Sequence, residues 1–388
     1  MNFDFKSIKT KYFYTGLSLF TFFVAMQLTN WLPLRYWGIW GGGDFIDSQQ
    51  ILRWSQCYKI QNDSIFLSYG ECSGFIYGST LVRIISLFNV NPSNVQIFGH
   101  SLLLLLAFTI SRQVGNFDKL RANPLILFVV LSPPILLLAE RANFDILMLA
   151  LISSSGSLFA KNHHSWALVP LALATLFKFY TLPLFLLYFL LNRSKKSKAI
   201  TLFTGVAVSV RVILDLMLIQ NSFPSGSWAM FGVSIWTRYL ADLNMLEQDE
   251  ATALVSGSII FLLAFAVTVI LLKRLDISFT SRDISDERTR VLFYLFYGTH
   301  LSCFCLGMNY DYRLVFFMLS SIIYLYSFVS KREKGYIVVL VSTLLSVWFT
   351  YPVPRLSPIG DLTTEIMTVI LGIRCVQLLK LDLKKNAF

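Results

Sequence analysis

Four short polar stretches interrupt an otherwise apolar chain, and each sets acids, bases or amides close together. GGGDFID carries Asp44 and Asp47, and ERANFD carries Glu140, Arg141, Asn143 and Asp145. KFYTLP carries Lys178 and Tyr180, and NYDYR carries Asp311 and Arg313. A few carboxylates beside a few fixed cations suit group transfer away from a phosphate. The leaving phosphate gains negative charge in the transition state and needs preorganised cations rather than a strong acid. One cation about 4 Å from such a charge is worth about 4 kcal/mol at an effective dielectric of about 20. The attacking hydroxyl needs a single carboxylate within hydrogen-bond reach.

Asp44 is the candidate base, and its bland alternative is a turn-former after three glycines. Asp47 lies three residues on. If a helix starts here the two share a face, and Asp47 orients Asp44, binds acceptor hydroxyls or helps to hold a divalent cation. The reverse assignment, Asp47 as base and Asp44 as helix cap, stays open. Lys178, Arg141, Asn143 and Tyr180 are candidates for the donor phosphate; Glu140, Asp145, Asp311 and Arg313 are further substrate contacts. Each has an ordinary alternative. Lys178 snorkels to headgroups, Arg141 pairs locally with Glu140 or Asp145, Tyr180 and Tyr310 belong to an aromatic belt, and Asp311 with Arg313 forms a structural salt bridge. No residue spacing calls for a metal, so no cofactor is implied and a divalent cation is only an option.

The elements that must position these groups follow from composition. The chain has 388 residues, 55% hydrophobic and 14% charged, against roughly 25% charged in an ordinary soluble domain. Mean hydropathy is +0.61. Too little polar surface exists to coat a water-soluble particle, so the expectation is an all-α, polytopic integral membrane protein forming a single transmembrane domain over 1–388. Net charge is +11, but the basic residues cluster between apolar segments, as cytoplasmic loops do. Nucleic acid is therefore not an expected partner. Apolar runs at 13–32, 95–111, 123–139, 146–160, 199–220, 253–272, 291–308, 314–329, 335–350 and 362–379 read as spans, the first retained rather than cleaved. Residues 33–94 form a first external loop with juxtamembrane helices, including a short one at 77–90 interrupted by Arg83. Residues 221–252 form a second large external loop.

The 166–191 stretch is the informative one. It is a single apolar run flanked on both sides by basic clusters, KNHH before and RSKKSK after. One span cannot begin and end on one side, so two short legs should meet near Lys178, helped by Pro183. That hairpin brings the count to about twelve crossings of roughly 20 residues or fewer, with both termini cytoplasmic and all four polar stretches external. Arg211 and Asp215 should pair within their span, and His100 and His300 should be hydrogen-bonded packing residues. Cys57 and Cys72 share the first external loop, where a disulfide is one option. Cys303, Cys305 and Cys375 read as small apolar-segment residues.

The chain resembles the polytopic GT-C glycosyltransferases, most closely the family 87 type. GGGDFIDSQQ after the first span, GFIYGS closing the loop, ERANFDILMLAL and TLFKFYTLPLFLLYFLLNRSKK match that family's elements in order over about residues 13–200. The usual loop prolines are absent, and Arg141 stands where a Gln is usual. The resemblance implies a GT-C-like bundle that transfers a hexose, mannose being the family's example, from a polyprenyl-phosphate donor to a glycan or glycolipid acceptor on the extracytoplasmic face, with inversion. It implies Asp44 as base and points Lys178 at the lipid phosphate. The setting expected is a bacterial plasma membrane, with membrane lipids as surroundings. Two alternatives are an O-antigen polymerase or flippase, and a transporter.

Overall fold

The computed structural model describes residues 5–28, 45–61, 72, 78–88, 90–115, 128–218, 230–231, 258–259, 261–263, 265–270, 284, 286–305, 309–310, 313–328, 333–349 and 357–387. Among these the protein is all-α, apart from a two-residue antiparallel pairing of β1 (Met230–Phe231) with β2 (Asn309–Tyr310). The helices over Pro92–Gln113 and Lys195–Met217 are long and apolar enough to cross a membrane, and several shorter helices are equally apolar. The chain divides into two compact units, 1–116 with 136–226, and 117–135 with 227–388.

The first unit holds α1 (Phe5–Leu28), α2 (Ile46–Gln61), α3 (Ser79–Leu87), α4 (Val95–Gly115), the end of α5 (Pro133–Arg141), α6 (Asp145–Ala160), α7 (His164–Phe177), α8 (Leu184–Leu191) and α9 (Lys195–Leu218). α1 packs along α4, α6 along α7, and α9 along both α7 and α8. α5 is shorter than the span expected at 123–139. Helix is described at 128–130, and α5 begins only at Pro133, after a turn at Leu131–Ser132. Pro133 and Pro134 supply no backbone N–H, which suits the first turn of a helix and not its interior.

The 166–191 stretch does fold back. Ser155 Oγ in α6 donates to the Ala167 carbonyl near the start of α7 (2.6 Å) and meets Tyr188 Oη near the end of α8 (2.7 Å). The Phe159 ring stacks on Tyr188 (centroids 4.5 Å) and lies edge-on to His164 (4.6 Å). The two open ends of the hairpin therefore meet at one level of α6, and its apex lies at the other end. The small residues of SSSG in α6 permit this approach. The apex is at Lys178, as expected, but Pro183 does not break the helix there. Leu182 is itself helical (φ −53°, ψ −43°), and Pro183 opens α8, where its missing N–H costs nothing. The break is at Lys178, which is extended (φ −142°, ψ 117°).

Tertiary contacts explain that break. A helix leaves its last carbonyls without partners, and here the Phe177 carbonyl accepts the Gly78 N–H (3.0 Å) while Thr181 Oγ1 bonds to Thr175 Oγ1 (2.8 Å) and the Lys178 carbonyl (3.3 Å). Gly78 is required. A Cβ there would stand 1.8 Å from the Leu176 carbonyl oxygen. The short helix expected at 77–90 is α3, and the Cys57–Cys72 disulfide is formed.

The second unit holds α10 (Glu287–Cys305), α11 (Leu314–Tyr326), α12 (Lys334–Phe349) and α13 (Ser357–Ala387). Asp286 caps α10 by accepting from the Thr289 N–H (2.9 Å) and hydroxyl (2.5 Å). Arg290 in the first turn of α10 reaches Asp382 near the end of α13 (3.2 Å), which also accepts from Tyr294 Oη (2.9 Å). Further along the same pair of helices, His300 Nε2 meets Thr368 Oγ1 (2.8 Å) and Tyr297 Oη donates to the Thr368 carbonyl. α11 is buried on nearly every face, as a helix apolar all round should be.

Candidate functional site

The site begins with the tight turn between α5 and α6. Ala142 turns the chain at φ 41°, a left-handed conformation that L-residues seldom adopt. Asn143 follows, and its Oδ1 accepts the Asp145 N–H (2.8 Å), an Asx-type bond that fixes the side chain and starts α6. Asp145 then sits in the first turn of α6, where the helix dipole favours a carboxylate. Both side chains are fully buried.

The first turn of α2 docks on this turn. Phe45 has φ 62° and donates its N–H to the Glu140 carbonyl (3.0 Å). Its ring occupies the space where a Cβ on Gly99 would be and lies edge-on to His100, with centroids 5.2 Å apart. Ser48 Oγ donates to the Ala142 carbonyl (2.6 Å). Asp47 is thereby brought against Arg141 and Asn143. Arg141 donates to both its oxygens (Nε 2.9 Å, Nη2 2.5 Å), and Asn143 Nδ2 donates to Oδ2 (2.5 Å).

The hairpin apex completes the cluster. Lys178 Nζ lies 2.8 Å from Asp145 Oδ1 and 3.1 Å from Asn143 Oδ1. Tyr180 Oη donates to the same Asp145 oxygen. One network thus runs Arg141, Asp47, Asn143, Lys178, Asp145, Tyr180, with two cations balancing two carboxylates. It has an inside and an outside. The Lys178 and Asp145 side chains are 3% and 0% exposed, whereas Arg141 and Asp47 are 15% and 12% exposed. The inner pair holds the hairpin against α6, and the outer pair is the part that a ligand can reach.

This geometry decides several of the ordinary alternatives. Lys178 does not snorkel outward; its ammonium is held inside by Asp145 and Asn143. Tyr180 is buried among these groups and is not a belt residue. Arg141 pairs with Asp47, a residue far from it in sequence. Glu140 contributes its backbone carbonyl to the docking of Phe45. Asp44 and Asp311 lie outside the described residues, as does most of 221–252, and only the backbone pairing is described for Tyr310. Arg313 precedes α11 in the second unit. Among the described residues no group of three or more His, Cys, Asp or Glu is placed to hold a metal ion. His100 Nδ1 bonds to the Gln96 carbonyl (2.6 Å), a packing arrangement like that of His300.

Two features escaped sequence reasoning. Arg211 and Asp215 do pair (2.9 Å), but Asp215 also accepts from the Ser79 N–H (3.0 Å) and hydroxyl (2.7 Å), so the pair binds α3. Asp361, Glu365 and Arg374 of α13 are buried, at 3%, 1% and 8% exposure. Ionisable residues inside an apolar run were the signal available for them. Comparison with family models, with curated proteins and with solved structures finds no match to this chain.

Proposed function

We propose that the protein is a polytopic membrane glycosyltransferase of about twelve crossings, set in a bacterial plasma membrane with both termini cytoplasmic. It transfers a hexose from a polyprenyl-phosphate donor to a glycan or glycolipid acceptor on the extracytoplasmic side. The observation that carries this reading is the closing of one charge-balanced network from three polar stretches far apart in sequence, at residues 47, 141–145 and 178–180. The large apolar side chains on the outside of α9, such as Phe203 at 78% and Met217 at 64% exposure, support a lipid setting.

In this reading the acceptor hydroxyl attacks the anomeric carbon while the bond to the phosphate oxygen breaks. The bonding pair leaves with the polyprenyl phosphate, the hydroxyl proton passes to Asp44, and configuration inverts. Asp47 is already engaged by three donors and acts as the clamp that aims Arg141. Arg141, on the reachable side, meets the phosphate, and Lys178 adds positive potential from within while holding the apex. Asn143 orients both halves of the network.

A transporter is the competing reading, and buried Asp361 and Glu365 in α13 favour it, since coupled acids inside spans mark ion pathways. One pair of measurements separates the two. Purified protein in lipid nanodiscs is given a panel of radiolabelled polyprenyl-phosphate sugars with candidate acceptors, and in proteoliposomes it is tested for sugar uptake. Transfer with loss of the donor bond supports the enzyme; ion-coupled flux of intact sugar overturns it.

A further inference from the structure

The charge network ties the hairpin apex to α6, and Asp215 supplies a second anchor for that apex's backbone, through α3. Its carboxylate is fully buried in α9, where an isolated charge is costly. Oδ2 accepts the Ser79 N–H (3.0 Å), and Oδ1 accepts the Ser79 hydroxyl (2.7 Å) and Arg211 Nη2 (2.9 Å). Arg211 Nη2 also donates to Ser79 Oγ. Ser79 is the first residue of α3, so the carboxylate sits at the positive end of that helix and occupies a donor that the helix cannot satisfy. The preceding residue, Gly78, donates to the Phe177 carbonyl, and a Cβ on it would collide with the Leu176 carbonyl and touch the Phe179 ring. Phe177 and Phe179 flank Lys178. A continuous path of bonds therefore leads from α9 through Ser79 and Gly78 to the backbone immediately before Lys178, whose ammonium meets Asn143 and Asp145.

We infer that Asp215 is a positioning residue for Lys178, acting through Ser79 and Gly78 to fix the apex at which α7 breaks. In its kinetic consequence this rests on the glycosyl-transfer reading; in its mechanical consequence it does not. Without the carboxylate, α3 loses its anchor on α9 and Gly78 is free to leave the Phe177 carbonyl. The Phe177 carbonyl, which precedes the extended Lys178, then loses the N–H that satisfies it outside the helix.

The test uses the full chain in lipid nanodiscs with Asp215→Asn and the milder Ser79→Ala, which keeps the backbone N–H bond. Amide hydrogen exchange is followed over 174–182, with 195–205 of α9 as the internal reference. Steady-state transfer is measured with a radiolabelled polyprenyl-phosphate hexose. Exchange at the apex should rise in both variants, more in Asp215→Asn, with the α9 reference unchanged. The kcat should fall about ten- to hundredfold, the scale of a misplaced group near 1 Å, with the acceptor KM unchanged. Apex exchange that stays at the wild-type level in both variants overturns the inference, as does a loosened apex with an unaltered kcat when Lys178→Ala abolishes transfer. Should Asp215→Asn not fold, Ser79→Ala decides alone. If the wild-type chain transfers no sugar from any donor, the functional reading fails, and exchange still decides whether Asp215 holds the apex.

Discussion

Removing the carboxylate of Asp145 tests the inner half of the site most directly. The Lys178 ammonium lies 2.8 Å from Asp145 Oδ1 with 3% and 0% of the two side chains exposed. At that separation the attraction is about 6 kcal/mol at an effective dielectric of about 20, set against the cost of desolvating both ions. Asp145→Asn leaves the cation buried beside a neutral amide, which should destabilise the fold by about 3–5 kcal/mol. Lys178→Met alone leaves the carboxylate facing Tyr180 and should cost a similar amount. The double variant buries no unpaired ion and should recover at least about 2 kcal/mol relative to the sum of the singles, because replacing both members of a buried pair is often near neutral. Reversible unfolding of the full chain in mixed micelles gives the four free energies of the cycle. Additive single effects, with a coupling under about 0.5 kcal/mol, would refute the claim that this pair holds the hairpin to α6.

Asp44→Asn should abolish sugar transfer while leaving folding and donor binding intact, as read by equilibrium binding of labelled donor; near-normal turnover would remove Asp44 as base. Arg141→Lys should lower kcat/KM at least about tenfold, because a lysine cannot reproduce the two-point bond to Asp47, and an unchanged value would show that the outer pair is not used. Gly78→Ala should lower thermal stability by about 1–3 kcal/mol or more, since its Cβ would meet the Leu176 carbonyl at 1.8 Å; a wild-type melting curve would refute the close docking of α3. Cys57→Ser with Cys72→Ser should destabilise the chain by about 3 kcal/mol for a loop of this size, if the entropic account of cross-linking holds. Exchange restricted to the ends of α2 and the 62–77 segment would mark that loss as local.

Composition and the lengths of the apolar runs alone determined that the chain is helical, because burial of apolar side chains dominates folding and leaves its trace in every segment. The return of 166–191 on itself was also legible, from basic clusters at both ends of one apolar run. So were the shortness of α3 and the pairing of Arg211 with Asp215, since i and i+4 residues share a helix face. Contacts between distant segments were not. The turn near Lys178 could be placed from the middle of the run but its cause could not, because the Gly78 N–H that satisfies Phe177 comes from a different part of the chain. Arg141 has Glu140 and Asp145 for sequence neighbours yet bonds Asp47, since the left-handed turn at Ala142 and the docking of Phe45 on Gly99 decide which carboxylate comes within reach. Sequence supplies the charges, but their partners depend on distances of a few ångströms that only the packed chain sets.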